Sequence, residues 1–206
     1  MDFAMTDEQE LLLESVREFC DRYFTEDVIK EMYETGDMPD EIAEAYRDAG
    51  FGLMGIPEEY GGIPCDKVTL GMMIEELYHS SGCNHILYQN SLTAFDIVEF
   101  GTPEQIQKYM DAYMETGWPL CSLSISEPGA GSDNRNMSCT AKKQDDGTYR
   151  LNGQKTWVTM GAKLPYTIVV AKDEDPSREN DKMSLWMTDM DRQGVPHHLL
   201  HKIGFL

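Results

Sequence analysis

The sequence lacks long hydrophobic runs and paired or C-x-x-C-spaced cysteines, and each of these absences argues against a class of protein. No run of about 18 apolar residues occurs, so we expect no transmembrane helix. The opening residues MDFAMTDEQELLL carry acids where a signal peptide needs bases, so we expect a cytoplasmic protein. The cysteines are odd in number, scattered and without C-x-x-C spacing, which argues against a disulfide framework or a zinc site and favours a reducing compartment: Cys20, Cys65, Cys83, Cys121 and Cys139.

Basic residues are also scarce. The chain has 17 lysines and arginines against 37 aspartates and glutamates among its 206 residues, a net charge of −20. A protein this acidic repels nucleic acid, so no nucleic-acid interface is expected. Residues 1–117 hold 26 acids and 6 bases, whereas residues 118–206 hold 11 of each. An anionic small ligand should therefore meet the second part, unless the acidity only keeps a helical domain soluble.

The first 117 residues carry helical patterns. Thr6 with Gln9, and Thr102 with Gln105, have the spacing of helix capping boxes, and Pro103 suits the first turn of a helix. Spaced glycines after the second helix predict a compact loop. Five helices are predicted, over residues 6–23, 40–50, 67–78, 85–100 and 102–117.

From Trp118 onward the apolar period changes to two, which is typical of strands. Asp146-Gly147 and Asn152-Gly153 have the composition of tight hairpin turns. Six strands are predicted, over residues 120–126, 137–143, 148–151, 155–159, 166–172 and 184–189. The fold class is therefore α+β: an all-α domain, residues 1–117, followed by an antiparallel β domain, barrel-like or a sandwich, residues 118–206, which we expect to be incomplete.

Two segments of the β half could carry chemistry. In residues 123–133 a strand runs into a loop with two glycines and a Ser-Asp pair, and such loops bring backbone amides close to an anion. In residues 149–159 a predicted hairpin would place Trp157 and Thr159 on one face, where an aromatic surface beside a hydroxyl suits a planar heterocycle. Taken singly, the first segment could equally be an ordinary turn and Trp157 a core residue.

Taken together, the two segments resemble the acyl-CoA dehydrogenase family of flavoenzymes, in the motifs S-E-P-G-A-G-S-D (residues 126–133) and N-G-x-K-x-W-V-T (residues 152–159). D-E-Q-E-L-L at the first helix, G-I-P-E-E-Y-G-G at residues 55–62 and G-T-P-E-Q-I-Q-K-Y at residues 101–109 extend the resemblance over the whole chain. The opening residues and the overall sequence pattern are most similar to the branch of the family that acts on crotonobetainyl-CoA.

The resemblance implies a helical domain, a middle β domain and a C-terminal helical domain, with FAD as cofactor and an acyl-CoA thioester as substrate. Ser126 stands where the family usually has threonine, Leu123 where many members have an aromatic, and Thr159 would donate to the flavin near N5. Ser132 would also touch the pantetheine arm of the thioester. The implied cofactor-binding residues are Leu123, Ser124, Ile125, Ser126, Gly131, Ser132, Trp157, Val158 and Thr159.

The implied reaction is α,β-dehydrogenation, in which a carboxylate removes the α-proton, a hydride leaves the β-carbon for flavin N5, and an electron-transfer flavoprotein reoxidises the cofactor. The family's catalytic glutamate belongs to the C-terminal domain and no acid here matches it, so no catalytic residue is assigned. We expect a fragment that is inactive alone, and a homo-oligomer in the full-length form. The alternatives are a non-catalytic module that binds a CoA thioester or a protein, and a flavin acyl-CoA oxidase.

Overall fold

The computed structural model describes residues 4–174 and 183–200, with the side chains of residues 89–91 left out. The contacts divide the chain into two compact units, with the boundary between Pro119 and Leu120. The first unit is helical and the second is built on a sheet, so the α+β class predicted from the sequence is confirmed. The two units are described separately below.

The helical unit contains six α-helices within its described residues. They are α1 (Asp7–Tyr23), α2 (Glu26–Thr35), α3 (Asp40–Asp48), α4 (Lys67–Ser81), α5 (Leu87–Phe100) and α6 (Pro103–Thr116). Both predicted capping boxes form: the Thr6 and Thr102 side chains accept from the backbone N–H groups of Gln9 and Gln105, whose side chains bind back. No helix in the described part of the chain has both the length and the apolar composition needed to cross a membrane.

Helix α2 is absent from the sequence prediction. Thr25 caps its first turn, and Val28, Ile29 and Met32 stand at helical spacing with Met32 fully buried, so the sequence carries a helical pattern that the prediction missed. Each of the other helices buries at least two residues among those whose side chains are described. The helical core includes Val16 of α1 and Met73 and Leu77 of α4, all fully buried.

The compact loop predicted after α3 is present. Two short 3₁₀ turns, Phe51–Leu53 and Glu58–Tyr60, occupy it, and Met54 pairs with Ile63 in an isolated bridge. Gly52 has to be a glycine, because a Cβ there would lie 1.8 Å from the Tyr113 hydroxyl oxygen. The loop thereby packs its backbone directly onto the end of α6.

Two helix ends offer a matched test of how closely the backbone packs. Gly117 ends α6 with φ 73°, and a Cβ there would lie 2.5 Å from the Ala43 carbonyl oxygen. Gly82 ends α4 with φ 63° and has nothing within 4 Å. Alanine at Gly82 should cost about 1 kcal/mol of unfolding free energy from left-handed strain alone, and at Gly117 about 2–3 kcal/mol because α3 must also move. Urea unfolding of the two variants measures this, and equal losses would contradict the close approach.

The second unit contains a mixed sheet of five strands in its described residues: β1 (Cys121–Ser124), β2 (Thr140–Lys143), β3 (Tyr149–Asn152), β4 (Tyr166–Asp173) and β5 (Met183–Asp189). β4 pairs in parallel with β1 and β2, and antiparallel with β5; β2 and β3 form an antiparallel hairpin. Two of these four pairs, β2–β3 and β4–β5, are antiparallel as predicted, whereas the parallel pairs of β4 with β1 and β2 make the barrel-like or sandwich description loose. Parallel neighbours arise because long connections, not tight turns, separate β1 and β2 from β4.

One predicted hairpin forms and the other does not. Gly147, with φ 82°, closes the β2–β3 turn as Asp146-Gly147 predicts. The strand predicted at residues 155–159 is wrong, as is the hairpin at Asn152-Gly153, because this stretch is irregular and Trp157 adopts φ 60°. Left-handed backbone at a bulky residue is incompatible with an extended strand.

Candidate functional site

The two segments singled out in the sequence lie side by side in the sheet unit. The Thr156 backbone N–H donates to the Ser126 carbonyl oxygen at 2.9 Å. The Lys155 ammonium donates to the Ile125 carbonyl oxygen at 2.8 Å. The end of β1 and the irregular stretch after β3 are thus held together across about thirty residues of sequence.

A buried ion pair lies at this junction. Glu127 Oε1 accepts from Lys155 Nζ at 2.9 Å and from the Cys139 backbone N–H at 2.9 Å. Its Oε2 accepts from the Ser138 backbone N–H at 2.6 Å and from the Ser138 hydroxyl at 2.7 Å. Burial alone would raise the pKa of Glu127, but the bonds from Ser138, Lys155 and Cys139 prevail and lower it to about 2. The carboxylate therefore stays ionised and fully hydrogen-bonded.

Three of the predicted cofactor-binding hydroxyls remain available for a ligand. Ser126 and Thr159 are half-buried and Ser132 is exposed. Within the part of the chain that the structure describes, none of these three side chains makes a hydrogen bond. Gly131 is exposed, and a Cβ built there would meet nothing within 4 Å, so the glycine loop is open to approach.

Ser124 has a different environment. It is buried, and its hydroxyl lies 2.6 Å from that of Thr167 on β4. Leu123 and Ile125 are partly buried against a small apolar cluster that includes Val170. The structure thus ties Ser124 to a neighbouring strand, and its predicted contact with the cofactor stays a prediction.

Trp157 is presented to solvent. Its side chain is 72% exposed, so the interpretation of Trp157 as a core residue is wrong. Trp157 and Met160 both have φ 60°, and such backbone costs about 1–2 kcal/mol per residue. Val158 lies half-buried between them, and its carbonyl accepts from the Gly161 N–H at 3.1 Å. Strained backbone around an exposed aromatic makes Trp157 a candidate ligand-binding residue.

The residues present fit a flavin dinucleotide. Hydroxyls at Ser126 and Thr159 suit the polar edge of a planar heterocycle, and the exposed indole of Trp157 suits its face. The open glycine loop with Ser132 offers backbone and hydroxyl donors for phosphate oxygens. Among the described residues, no group of three histidine, cysteine or acidic side chains is placed to hold a metal ion.

Sequence reasoning missed Glu127 and Lys155, although both lie inside the two motifs. Two signals were present: Glu127 is the first charged residue after an uncharged strand, and Lys155 follows the Asn-Gly pair. Neither residue indicates its partner, because pairing across about thirty residues is not visible in a single sequence.

Comparisons with known proteins identify the family of the chain. The acyl-CoA dehydrogenase N-terminal domain matches residues 6–116, and the acyl-CoA dehydrogenase middle domain matches residues 122–205. YdiO of Escherichia coli strain K12, a probable acyl-CoA dehydrogenase, is 38% identical over 205 residues, which is 100% of this chain and 53% of YdiO. The chain therefore spans about half the length of the curated relatives it matches.

Solved structures of the same fold include one named as a dehydrogenase and one named as an oxidase. Butyryl-CoA dehydrogenase from Megasphaera elsdenii has 28% identity and a TM-score of 0.74, over 94% of this chain and 51% of that one. The prolyl acyl carrier protein oxidase AnaB has 27% identity and a TM-score of 0.76, over 93% of this chain and 50% of that one. The chain belongs to the acyl-CoA dehydrogenase family, whose members are FAD-binding flavoprotein oxidoreductases.

Proposed function

We propose that the chain is part of an FAD-dependent acyl-CoA dehydrogenase, which removes hydrogen from the α- and β-carbons of an acyl-CoA thioester. One observation supports this most directly: the Thr156–Ser126 hydrogen bond joins the two family motifs beside hydroxyls that have no partner among the described residues and an exposed indole. FAD, when bound, supplies the hydride acceptor. The chain's own residues bind and orient the cofactor and the thioester.

Each residue has a proposed task. The hydroxyls of Ser126 and Thr159 bind the polar edge of the flavin, and the indole of Trp157 with Val158 covers one face. Gly131 and Ser132 approach the phosphates. The proposed cofactor contacts extend to Leu123, Ser124 and Ile125 at the end of β1, and Ser132 is also proposed to contact the pantetheine arm.

The proton-abstracting carboxylate is proposed to come from elsewhere. The two segments contain two acids, Glu127 and Asp133. Glu127 is a poor base, because its pKa is lowered to about 2 and its oxygens are occupied by four donors. Asp133 is exposed and accepts a hydrogen bond from Asn136. We therefore expect the chain not to turn over substrate by itself.

The fate of the electrons distinguishes two candidate enzymes. We propose an electron-transfer flavoprotein as acceptor and a homo-oligomeric cytoplasmic enzyme in the full-length form. An acyl-CoA oxidase is the second candidate, because the oxidase AnaB shares the fold at comparable similarity. Hydrogen peroxide released by the complete enzyme under air would favour the oxidase. A module that binds a CoA thioester without flavin is the third.

The test is an FAD titration with a matched pair of variants. Trp157→Gly and Met160→Gly relieve the same left-handed strain, with φ 60° at both residues. Only Trp157→Gly removes the proposed flavin-covering surface, so it should weaken FAD binding about tenfold while Met160→Gly binds like the wild type. Flavin fluorescence measures both.

A second arm tests the reaction. The chain is mixed with FAD and with the second half of YdiO, and an acyl-CoA is added. Bleaching of the flavin absorbance is expected. Tight binding of a CoA thioester without any FAD binding, alone or in the mixture, would contradict the proposal and favour the flavin-free module.

A further inference from the structure

The buried ion pair of the candidate site is costly for a structure that needs only stability. The Lys155 and Glu127 side chains are 9% and 3% exposed. Desolvating two such charges costs several kcal/mol per ion, and neutral side chains of similar volume are often as stable in their place. Stability alone therefore does not explain the ion pair, and the backbone segments that it connects indicate its role.

The pair connects three stretches of backbone. Lys155 binds the Ile125 carbonyl at the end of β1, and Glu127 binds the N–H groups of Ser138 and Cys139 just before β2. The stretch that carries Lys155 belongs to no strand of the described sheet. The ion pair and the Thr156–Ser126 hydrogen bond therefore attach this irregular stretch to the end of β1, whereas the strands of the unit are attached to one another by backbone hydrogen bonds.

We propose that Glu127 and Lys155 are positioning residues for the FAD-binding surface, which hold Ser126 and residues 157–159 in a fixed relation without touching the flavin. The inference rests on the proposed function. This role differs from a purely structural one, because it predicts that altering the ion pair weakens FAD binding even in a variant that is fully folded. A site built on irregular backbone needs such support, since loosening by about 1 Å is enough to lose function.

The experiment uses the full chain and three variants. Glu127→Gln/Lys155→Met replaces the pair by neutral side chains of similar size, so no buried charge is left alone, but methionine cannot donate to the Ile125 carbonyl. Lys155→Arg keeps the charge and the fold but replaces a point-like ammonium by a planar fork. Lys142→Met is the matched control, because Lys142 is an exposed lysine of the same unit.

Three readouts are recorded for each variant: the thermal unfolding midpoint, hydrogen exchange at the Thr156 amide, and the FAD dissociation constant from flavin fluorescence. The double variant is expected to unfold cooperatively at a lower midpoint than the wild type, because the amide NH2 introduced at position 127 faces a backbone N–H that the carboxylate accepted from. At a temperature where it is folded, Thr156 exchange should be faster and FAD affinity weaker by about tenfold each. Lys155→Arg should weaken FAD binding about threefold, and Lys142→Met should change none of the three.

The outcomes separate the positioning role from the proposed function. Wild-type FAD affinity in a folded double variant, or in Lys155→Arg if the double variant does not fold, overturns the positioning role and leaves the proposed function intact. If the wild-type chain binds no FAD, either alone or mixed with the second half of YdiO, the proposed function fails, and the positioning role, which is defined by FAD affinity, fails with it.

Discussion

Replacing Glu127 by alanine is expected to lower the free energy of unfolding of the sheet unit by about 3–5 kcal/mol, because it leaves the buried Lys155 ammonium without its counter-charge. The loss also removes the acceptor of the Ser138 and Cys139 N–H groups. Unpaired donors in a buried place cost further free energy. No other acid of the two motifs has comparable bonds.

Hydrogen exchange of the β4 amides measures this loss in the sheet unit alone. Glu174→Ala is the matched control, since Glu174 is an exposed acid that follows directly on β4, and it should change the free energy by less than about 0.5 kcal/mol. Because hydrogen bonding lowers the folded-state pKa of Glu127 to about 2, its contribution is present above the ordinary glutamate pKa and is lost as the pH falls toward 2. A Glu127→Ala variant as stable as Glu174→Ala would show that the carboxylate does not support the sheet.

Local sequence determined what could be predicted of the helical unit. Thr6 and Thr102 with their glutamine partners fix two helix starts within four residues of chain, and glycines in the left-handed conformation end α4 and α6. Helix α2 was missed although the same local signals mark it: Thr25 caps its first turn, and Val28, Ile29 and Met32 stand at helical spacing.

Contacts between distant residues determined what could not be predicted of the site. Residues 155–159 alternate as a strand does, yet Lys155 and Thr156 bind the end of β1 instead of a neighbouring strand. The motifs indicated which segments form the candidate site, since they are short and local. The ion pair that joins them and the parallel pairing of β1 with β4 both depend on the path of the chain in space.

The helical unit is expected to lose about 3 kcal/mol of stability between pH 6.5 and pH 4, and one buried histidine accounts for it. His85 is 2% exposed and its ring stacks on Tyr78 at 4.4 Å and on Phe24 at 4.9 Å. Neither ring nitrogen makes a hydrogen bond of ordinary geometry with a described residue. Burial lowers the pKa of His85 to about 4, and a backbone group of Leu77 offsets part of that shift.

The direction of the stability change follows from the pH at which His85 takes up a proton in the unfolded and in the folded chain. Below pH 6.5 the unfolded chain protonates this histidine, whereas the folded chain resists until about pH 4, so stability is full at neutral pH and falls with acidification. His85→Phe keeps an aromatic ring between Phe24 and Tyr78 and should remove this part of the pH dependence, whereas His79→Gln removes an exposed histidine and should leave it. Urea unfolding of the three proteins at pH 7, 5.5 and 4 isolates the term, because the other acids titrate alike in all of them. Parallel curves for the wild type and His85→Phe would mean that the imidazole is solvated in the folded chain and that the stacked arrangement does not persist in solution.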